Sequence, residues 1–320
     1  MMLGQRADQD AIDEINRELG LDKGIFYQYG LYLNDLSPIS YHSAIESDAS
    51  FYEAEKYGGT KVLATVQFDI VFKAPYLRKS YQSKKKVSSI LFESLPETAV
   101  LALASILIAS VLGILLGVLS ALYRDGWLDK VLLLLATSGM ALPSFFVGII
   151  FAWLFGYVWS DWTGLNMSGS LYEVDDLGRG EYINWTNLVL PAVTLGIRPL
   201  SVVLQLCRNS MIEVLSMDYV RTARAKGLTT RSTLFGHALK NALNPVVTTI
   251  SGMFASLMAG AVFVEIIFSW KGIGWEIVNA LEKYDLPIVM GAVLIIAVIF
   301  VVVNILVDIL YGVLDPRVRV

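Results

Sequence analysis

Asp218, Arg221, Ala223, Arg224, Lys226 and Gly227 crowd into the stretch DYVRTARAKGL, residues 218–228, between two long hydrophobic runs. On a helix, Ala223 and Gly227 stand four residues apart and share a face with almost no side chain, so another backbone or a shallow groove can approach closely. Arg221 and Arg224 are three apart and flank that face. A bare surface framed by charge suits docking into a partner's cleft, where packing transmits displacement and charge fixes orientation. Basic residues also collect in any loop on the cytoplasmic side of a membrane. Spacing alone leaves both readings open.

Other chemistry is sparse. The sequence contains no G-x-x-x-x-G-K-[ST], no H-E-x-x-H and no cysteine pair at metal spacing, and the chain is not expected to hydrolyse anything alone. Cys207 is the single cysteine and reads as a small apolar residue inside a helix. His42 and His237 are expected to be loop or packing residues on opposite sides of a membrane. Gly272-Ile273-Gly274 looks like half a nucleotide fingerprint but has no strand before it. Gly113 and Gly117 form G-x-x-x-G, which reads first as close helix packing within the chain. Arg198 sits near the middle of an apolar run. It either lines a translocation pathway or reaches water or a carbonyl beside Pro191 and Pro199.

The elements that must position these residues are membrane spans. Of the 320 residues, 55% are hydrophobic and only 17% charged, with a mean hydropathy of +0.57, too apolar for the core of an ordinary water-soluble domain. The formal charge of -4 gives no basic field for nucleic acid. Because a span needs about 20 mostly apolar residues, the stretches between charges locate candidates at 98–123, 131–160, 241–264 and 286–307. A fifth runs from about Trp185 to Cys207 and is kinked by its prolines. The expected fold is an all-α membrane protein, a polytopic bundle with five visible transmembrane helices.

Loop charge orients the bundle. Residues 208–240 carry six Lys/Arg against Glu213 and Asp218, whereas 161–184 hold five Asp/Glu and only Arg179. The loop 209–240 and the tail 313–320 are therefore expected in the cytoplasm and residues 1–90 outside, with 91–312 as the membrane domain. The eleven Lys/Arg of the N-terminal region oppose this, but a long segment obeys the charge rule weakly. Nothing in residues 1–87 is apolar enough for a signal peptide or span, so a further N-terminal span is expected upstream. DAIDEINRELGLDKG reads as a soluble amphipathic helix with Ile12, Ile15 and Leu19 on one face. Residues 39–70 show no helical period and read as an extracytoplasmic loop or small subdomain.

DYVRTARAKGL followed by HALKNALNPVVT resembles the cytoplasmic coupling loop of ABC-transporter permeases of the dipeptide/oligopeptide/nickel class. ESLPETAVLALA, GAVFVEIIFSWKGIGWEIVNALEKYDLPIVMG, NILVDILYGVLDPRVRV and MLGQRADQDAIDEINRELGLDKGIFYQYG resemble further segments of that family in the right order. The resemblance covers most of residues 2–38 and 72–320. Residues 39–70 look like an insertion relative to it, Lys271 stands where the family commonly has proline, and Arg221 where the general permease motif has glutamate.

The resemblance implies a half-pathway completed by a second homologous permease subunit. It also implies two cytoplasmic ATPase subunits that dock at Asp218, Arg221, Ala223, Arg224, Lys226 and Gly227, and an extracytoplasmic substrate-binding protein. Membrane lipid would surround the chain, and nucleic acid is not expected. The chain itself would hold no cofactor or metal, with ATP and Mg in the ATPases. The implied cargo is di- or oligopeptide, with nickel chelates or another small solute as the alternative. Pro143, Pro191, Pro199 and Pro245 are the expected bend points. An ATPase-independent channel or secondary carrier would instead show polar or acidic residues along its spans and internal repeat symmetry.

Overall fold

The computed structural model describes residues 22–45, 48, 50–175, 178 and 180–314. The amphipathic helix expected over residues 10–24 lies almost wholly outside the described residues, as does most of the C-terminal tail. Two units can be distinguished, one comprising the described residues up to Glu93 with Asn279–Ala292, the other Ser94–Val278 with the described residues from Val293 onward.

In the first unit, α1 (Ile25–Leu36) leads into β1 (Ile39–Ser43), and a short α2 (Ala54–Tyr57) precedes β2 (Thr60–Ala64) and β3 (Phe68–Phe72). The strands form an antiparallel sheet in the order β1-β3-β2, with Ile39 opposite Phe72 and Ser43 opposite Phe68. An irregularity between Lys61 and Leu63 shifts the β2 register. These strands are an addition to the all-helical expectation. Alternating Ser40 and His42 on β1, and Asp69 and Val71 on β3, turn inward, the period of a sheet buried on one face. Polar groups on that face are paired: His42 Nε2 lies 2.8 Å from Ser40 Oγ, His42 Nδ1 lies 2.9 Å from the Ser50 carbonyl, and Lys61 binds Asp69. Further along, the Asp285 carboxylate accepts from Ser80 Oγ and the Tyr81 and Gln82 N–H groups.

Helices make up most of the other described residues, beginning with α3 (Val87–Leu122), α4 (Trp127–Ala141), α5 (Ser144–Trp153), α6 (Ser160–Thr163) and α7 (Thr186–Leu215). After these come α8 (Asp218–Ala225), α9 (Thr230–Thr233), α10 (Leu239–Gly260), α11 (Val262–Ile267), α12 (Ile273–Glu282) and α13 (Leu286–Leu314). Single π-turns, Leu154–Val158 and Leu234–Ala238, follow α5 and α9. A two-stranded hairpin, β4 (Tyr172–Val174) and β5 (Glu181–Ile183), precedes α7.

Among the described residues, three helices are long and apolar enough to cross a membrane: α3, α7 and Leu286–Val307 of α13. Two bent pairs pass the same test together. One is Trp127–Ala141 with Ser144–Val158, turned by 108° at Leu142-Pro143, and the other breaks at Ala261. Pro143 thus marks a bend. Pro191 and Pro199 lie within the continuous α7, and Pro245 within α10; a proline in the membrane interior can be absorbed where neighbouring helices re-satisfy the freed carbonyl.

Helix α7 is central, packing against α4, α5 and α10. Its apolar window is 61% buried, against 22% for that of α13. Helix α3 meets α7 backbone to backbone: a Cβ on Gly113 would lie 2.8 Å from Val203, one on Gly117 2.7 Å from the Leu204 carbonyl, and one on Gly196 2.9 Å from the Ser105 carbonyl. G-x-x-x-G therefore serves packing within the chain.

Candidate functional site

Two residues, Ser216 and Met217, separate the end of α7 from the start of α8. The joint is closed by the Ser216 and Met217 N–H groups, which donate to the Glu213 and Val214 carbonyls at 3.1 Å each. Asp218 lies in the first turn and Arg224 in the last, each at the end where the helix dipole favours its charge. Val220 and Ala223 turn inward, and Val220 joins a cluster with Met211, Val214, Leu234, Ala238 and Ala242. Tyr219 Oη accepts from Asn241 Nδ2 at 2.8 Å, tying α8 to α10.

The outward stripe is Asp218, Arg221, Thr222 and Ala225, all exposed, at the i, i+3, i+4, i+7 spacing of one helix face. Arg221 Nη1 lies 3.8 Å from Asp218 Oδ1, a solvent-exposed pair of little energetic weight. Arg224 and Lys226 are also exposed.

Two expectations are corrected here. Ala223 is only 7% exposed, because its small side chain lets α8 lie close on its own chain, and it turns inward instead of lying on the bare outer face. Gly227 is beyond the helix, with φ +84° and nothing within 4 Å of a Cβ built on it. Its N–H donates to the Arg224 carbonyl at 3.0 Å and the Leu228 N–H to the Ala223 carbonyl at 3.3 Å, the bond pattern of a Schellman stop. Ala223 and Gly227 thus do not share a bare docking face. The chain then turns through Thr229, whose Oγ1 accepts from the Ser232 N–H at 3.3 Å and starts α9.

Arg198 is exposed on α7, and no hydrogen bond or ion pair joins it to the α8 residues among those described. No group of three His, Cys, Asp or Glu side chains that could hold a metal occurs among the described residues.

Two buried polar knots were not legible in the sequence. In one, Asp129 of α4, its side chain 2% exposed, takes a forked pair of hydrogen bonds from Arg208 of α7, Nε to Oδ1 and Nη2 to Oδ2, both at 2.7 Å. Ser120 Oγ and the Asp125 N–H also donate to Asp129. In the other, Glu265 of α11 accepts from Thr98 Oγ1 at 2.8 Å and from the Trp275 N–H at 3.0 Å. Thr98 Oγ1 accepts from the Ile273 N–H, Trp270 Nε1 donates to the Glu97 carbonyl, and Ser170 Oγ donates to the Glu97 carboxylate. A Cβ on Gly272 would strike Thr98 and Glu265 at 2.4 and 2.5 Å. Gly272-Ile273-Gly274 thereby belongs to a turn sealed on a carboxylate. Partners 79 or 167 residues apart leave no mark on local spacing.

The second unit is thus an apolar helical bundle with a short charged helix between α7 and α10. Residues 113–320 match the family described as "Binding-protein-dependent transport system inner membrane component". The chain is 30% identical to the dipeptide transport system permease protein DppB of Alkalihalophilus pseudofirmus, over 99% of this chain and 89% of that one. It is 33% identical to the di/tripeptide transport system permease protein DppB of Pseudomonas aeruginosa, over 100% and 88%, and 40% identical to DppB of Escherichia coli K12, over 69% and 70%. In fold it is similar to a chain of the MetNI methionine ABC transporter in an inward-facing conformation, with TM-score 0.56 at 14% identity, covering 71% of this chain and 97% of that one. With more than half of its length matched and relatives at this identity along nearly all of it, the chain belongs to the binding-protein-dependent transport system inner membrane components.

Proposed function

We propose that the chain is the membrane permease subunit of an ATP-driven importer of di- or oligopeptides. The observation that carries this reading is the similarity to dipeptide permeases along nearly the whole chain, 30% over 99% of it, together with the outward charged stripe of α8. The pathway is shared with a second permease subunit. A substrate-binding protein delivers cargo from outside, and two cytoplasmic ATPases, which hold the ATP and Mg, drive the cycle.

Each bent pair is read as one span, so that five spans cross the membrane. Residues 1–90 and 161–184 then lie outside, while 209–240 and the tail 313–320 lie in the cytoplasm, as the loop charges favour. An impermeant thiol reagent on whole cells should label Trp162→Cys, exposed at 91%, and spare Arg231→Cys in a Cys207→Ala background. The reverse pattern would invert this topology.

Asp218, Arg221, Thr222, Ala225 and the exposed Arg224 and Lys226 form the ATPase contact. Ala223 and Gly227 shape it from within, one by letting α8 lie flat and one by ending it. Closure of the ATPases pushes α8 and rocks the spans between inward-open and outward-open packing. Arg198 lines the pathway.

Co-expression with the ATPases and binding protein of the same transport system tests the reading. The ATPases should co-purify and a radiolabelled dipeptide should accumulate with ATP. Dipeptide uptake that proceeds without any ATPase would replace this reading with a carrier.

A further inference from the structure

A docking helix is useful only if its displacement reaches the spans, and α8 is joined to them through the end of α7. Arg208 lies ten residues before Asp218, two to three turns above the joint. Its guanidinium forks onto Asp129 in the first turn of α4. The same carboxylate receives Ser120 Oγ from α3 and the Asp125 N–H from the α3–α4 turn, where Asp125 holds φ +63°. One buried anion therefore binds three elements at the end of the bundle from which α8 departs.

Beyond this point the same helices cannot slide freely. Gly113 and Gly117 bring α3 onto the α7 backbone, and a Cβ on Gly139 of α4 would lie 2.5 Å from Ser201 of α7. Val220 of α8 is buried with Met211 and Val214 of α7, which fixes the joint from the other side. Close packing in discrete arrangements lets a push move elements as bodies instead of being absorbed in bending.

We propose that Asp129 and Arg208 form a clamp that makes α3, α4 and α7 a single lever for α8. Both are positioning residues, and the inference rests on the reading of α8 as the ATPase contact. A bidentate pair suits the role because it fixes orientation as well as distance. Removing one partner leaves the other charge buried and unpaired, so the lever end loosens even where the bundle still assembles.

Two measurements test the clamp in the reconstituted complex of permeases, ATPases and binding protein. The first is radiolabelled dipeptide moved per ATP hydrolysed. Asp129→Asn should lower this ratio by about fivefold to about a hundredfold, the span of a typical coupling energy, with co-purifying ATPase unchanged. Arg208→Lys, which keeps charge and loses the fork, should lower it less, and exchanging the pair as Asp129→Arg with Arg208→Asp should restore part of it. An unchanged ratio, or a loss that follows lost ATPase docking, would overturn the clamp. Should Asp129→Asn fail to accumulate, Ser120→Ala keeps both charges and should lower the ratio slightly; no change there overturns it equally.

The second measurement needs no ATPase. Spin labels at Thr222→Cys on α8 and Leu134→Cys on α4, in a Cys207→Ala background, should give one narrow distance distribution, broadened by Asp129→Asn. Equal widths refute the clamp. A native chain that binds no ATPase would refute the proposed function while leaving the distance result to decide the clamp.

Discussion

Gly227 shows how a residue can be needed to end a helix without packing against anything. Its φ of +84° lies in the left-handed region, where a residue with a Cβ is strained by roughly 1–2 kcal/mol, yet the space around it is open. Gly227→Ala and Gly227→Leu should therefore lower the stability of the α8–α9 segment by similar amounts, about 1 kcal/mol, and Gly227→Asn by less. Thermal unfolding of the detergent-solubilised protein measures this; a much larger loss for Leu than for Ala would point to packing instead of strain. His42 makes a second prediction at this scale. Burial pushes its pKa below the ordinary 6.5, while the Ser50 carbonyl and nearby Asp35 and Asp69 oppose the shift and Lys73 adds to it. The folded state thus binds fewer protons than the unfolded state. Stability of the sheet unit should be full above about pH 6.5 and fall as pH drops from there toward the lowered native value. His42→Gln should flatten the decline, and unfolding curves at about pH 7.5 and pH 5 report it; an equal decline in both proteins would remove His42 as its source.

Among the elements, the α3–α7 pair is the most constrained. Gly117→Val places a branched side chain where the Leu204 carbonyl and Cys207 stand within 2.7–2.8 Å, and should cost about 1–3 kcal/mol as overpacking. Gly252→Ala on α10, with nothing within 4 Å, should be neutral or slightly stabilising within the chain. Equal thermal stability of the two variants would contradict the backbone-to-backbone contact. The long apolar helices were legible in the sequence as apolar runs, but their ends were not, for one physical reason. Counting between charges ends a span at Glu97 and at Arg208, whereas α3 begins at Val87 and α7 continues to Leu215. Both charges are satisfied inside the bundle, Arg208 by Asp129 and Glu97 by Ser170, so neither has to leave the helix for water. The strands of residues 39–72 were missed as strands because their inward face carries Ser40, His42 and Asp69, polar residues that hide the apolar alternation by which a half-buried strand is recognised.

For the whole molecule, the presence of a short charged helix at residues 218–225 was readable from the sequence and the way it turns its faces was not. DYVRTARAKGL does form a charged helix beside the central span, but the two small residues chosen for the docking face do other work. Ala223 lies against the chain and Gly227 ends the helix. Helical spacing fixes which residues share a face, and only the packing of Val220 with Met211 and Val214 decides which face is outermost. The ATPase contact proposed above is therefore the outward stripe Asp218, Arg221, Thr222 and Ala225. Single cysteines in a Cys207→Ala background, treated with a short thiol cross-linker in the assembled complex, test this most directly. Thr222→Cys and Ala225→Cys should cross-link to the ATPase and Val220→Cys, fully buried, should not. Cross-linking from position 220 with none from 222 or 225, in complexes that still hydrolyse ATP, would contradict the account.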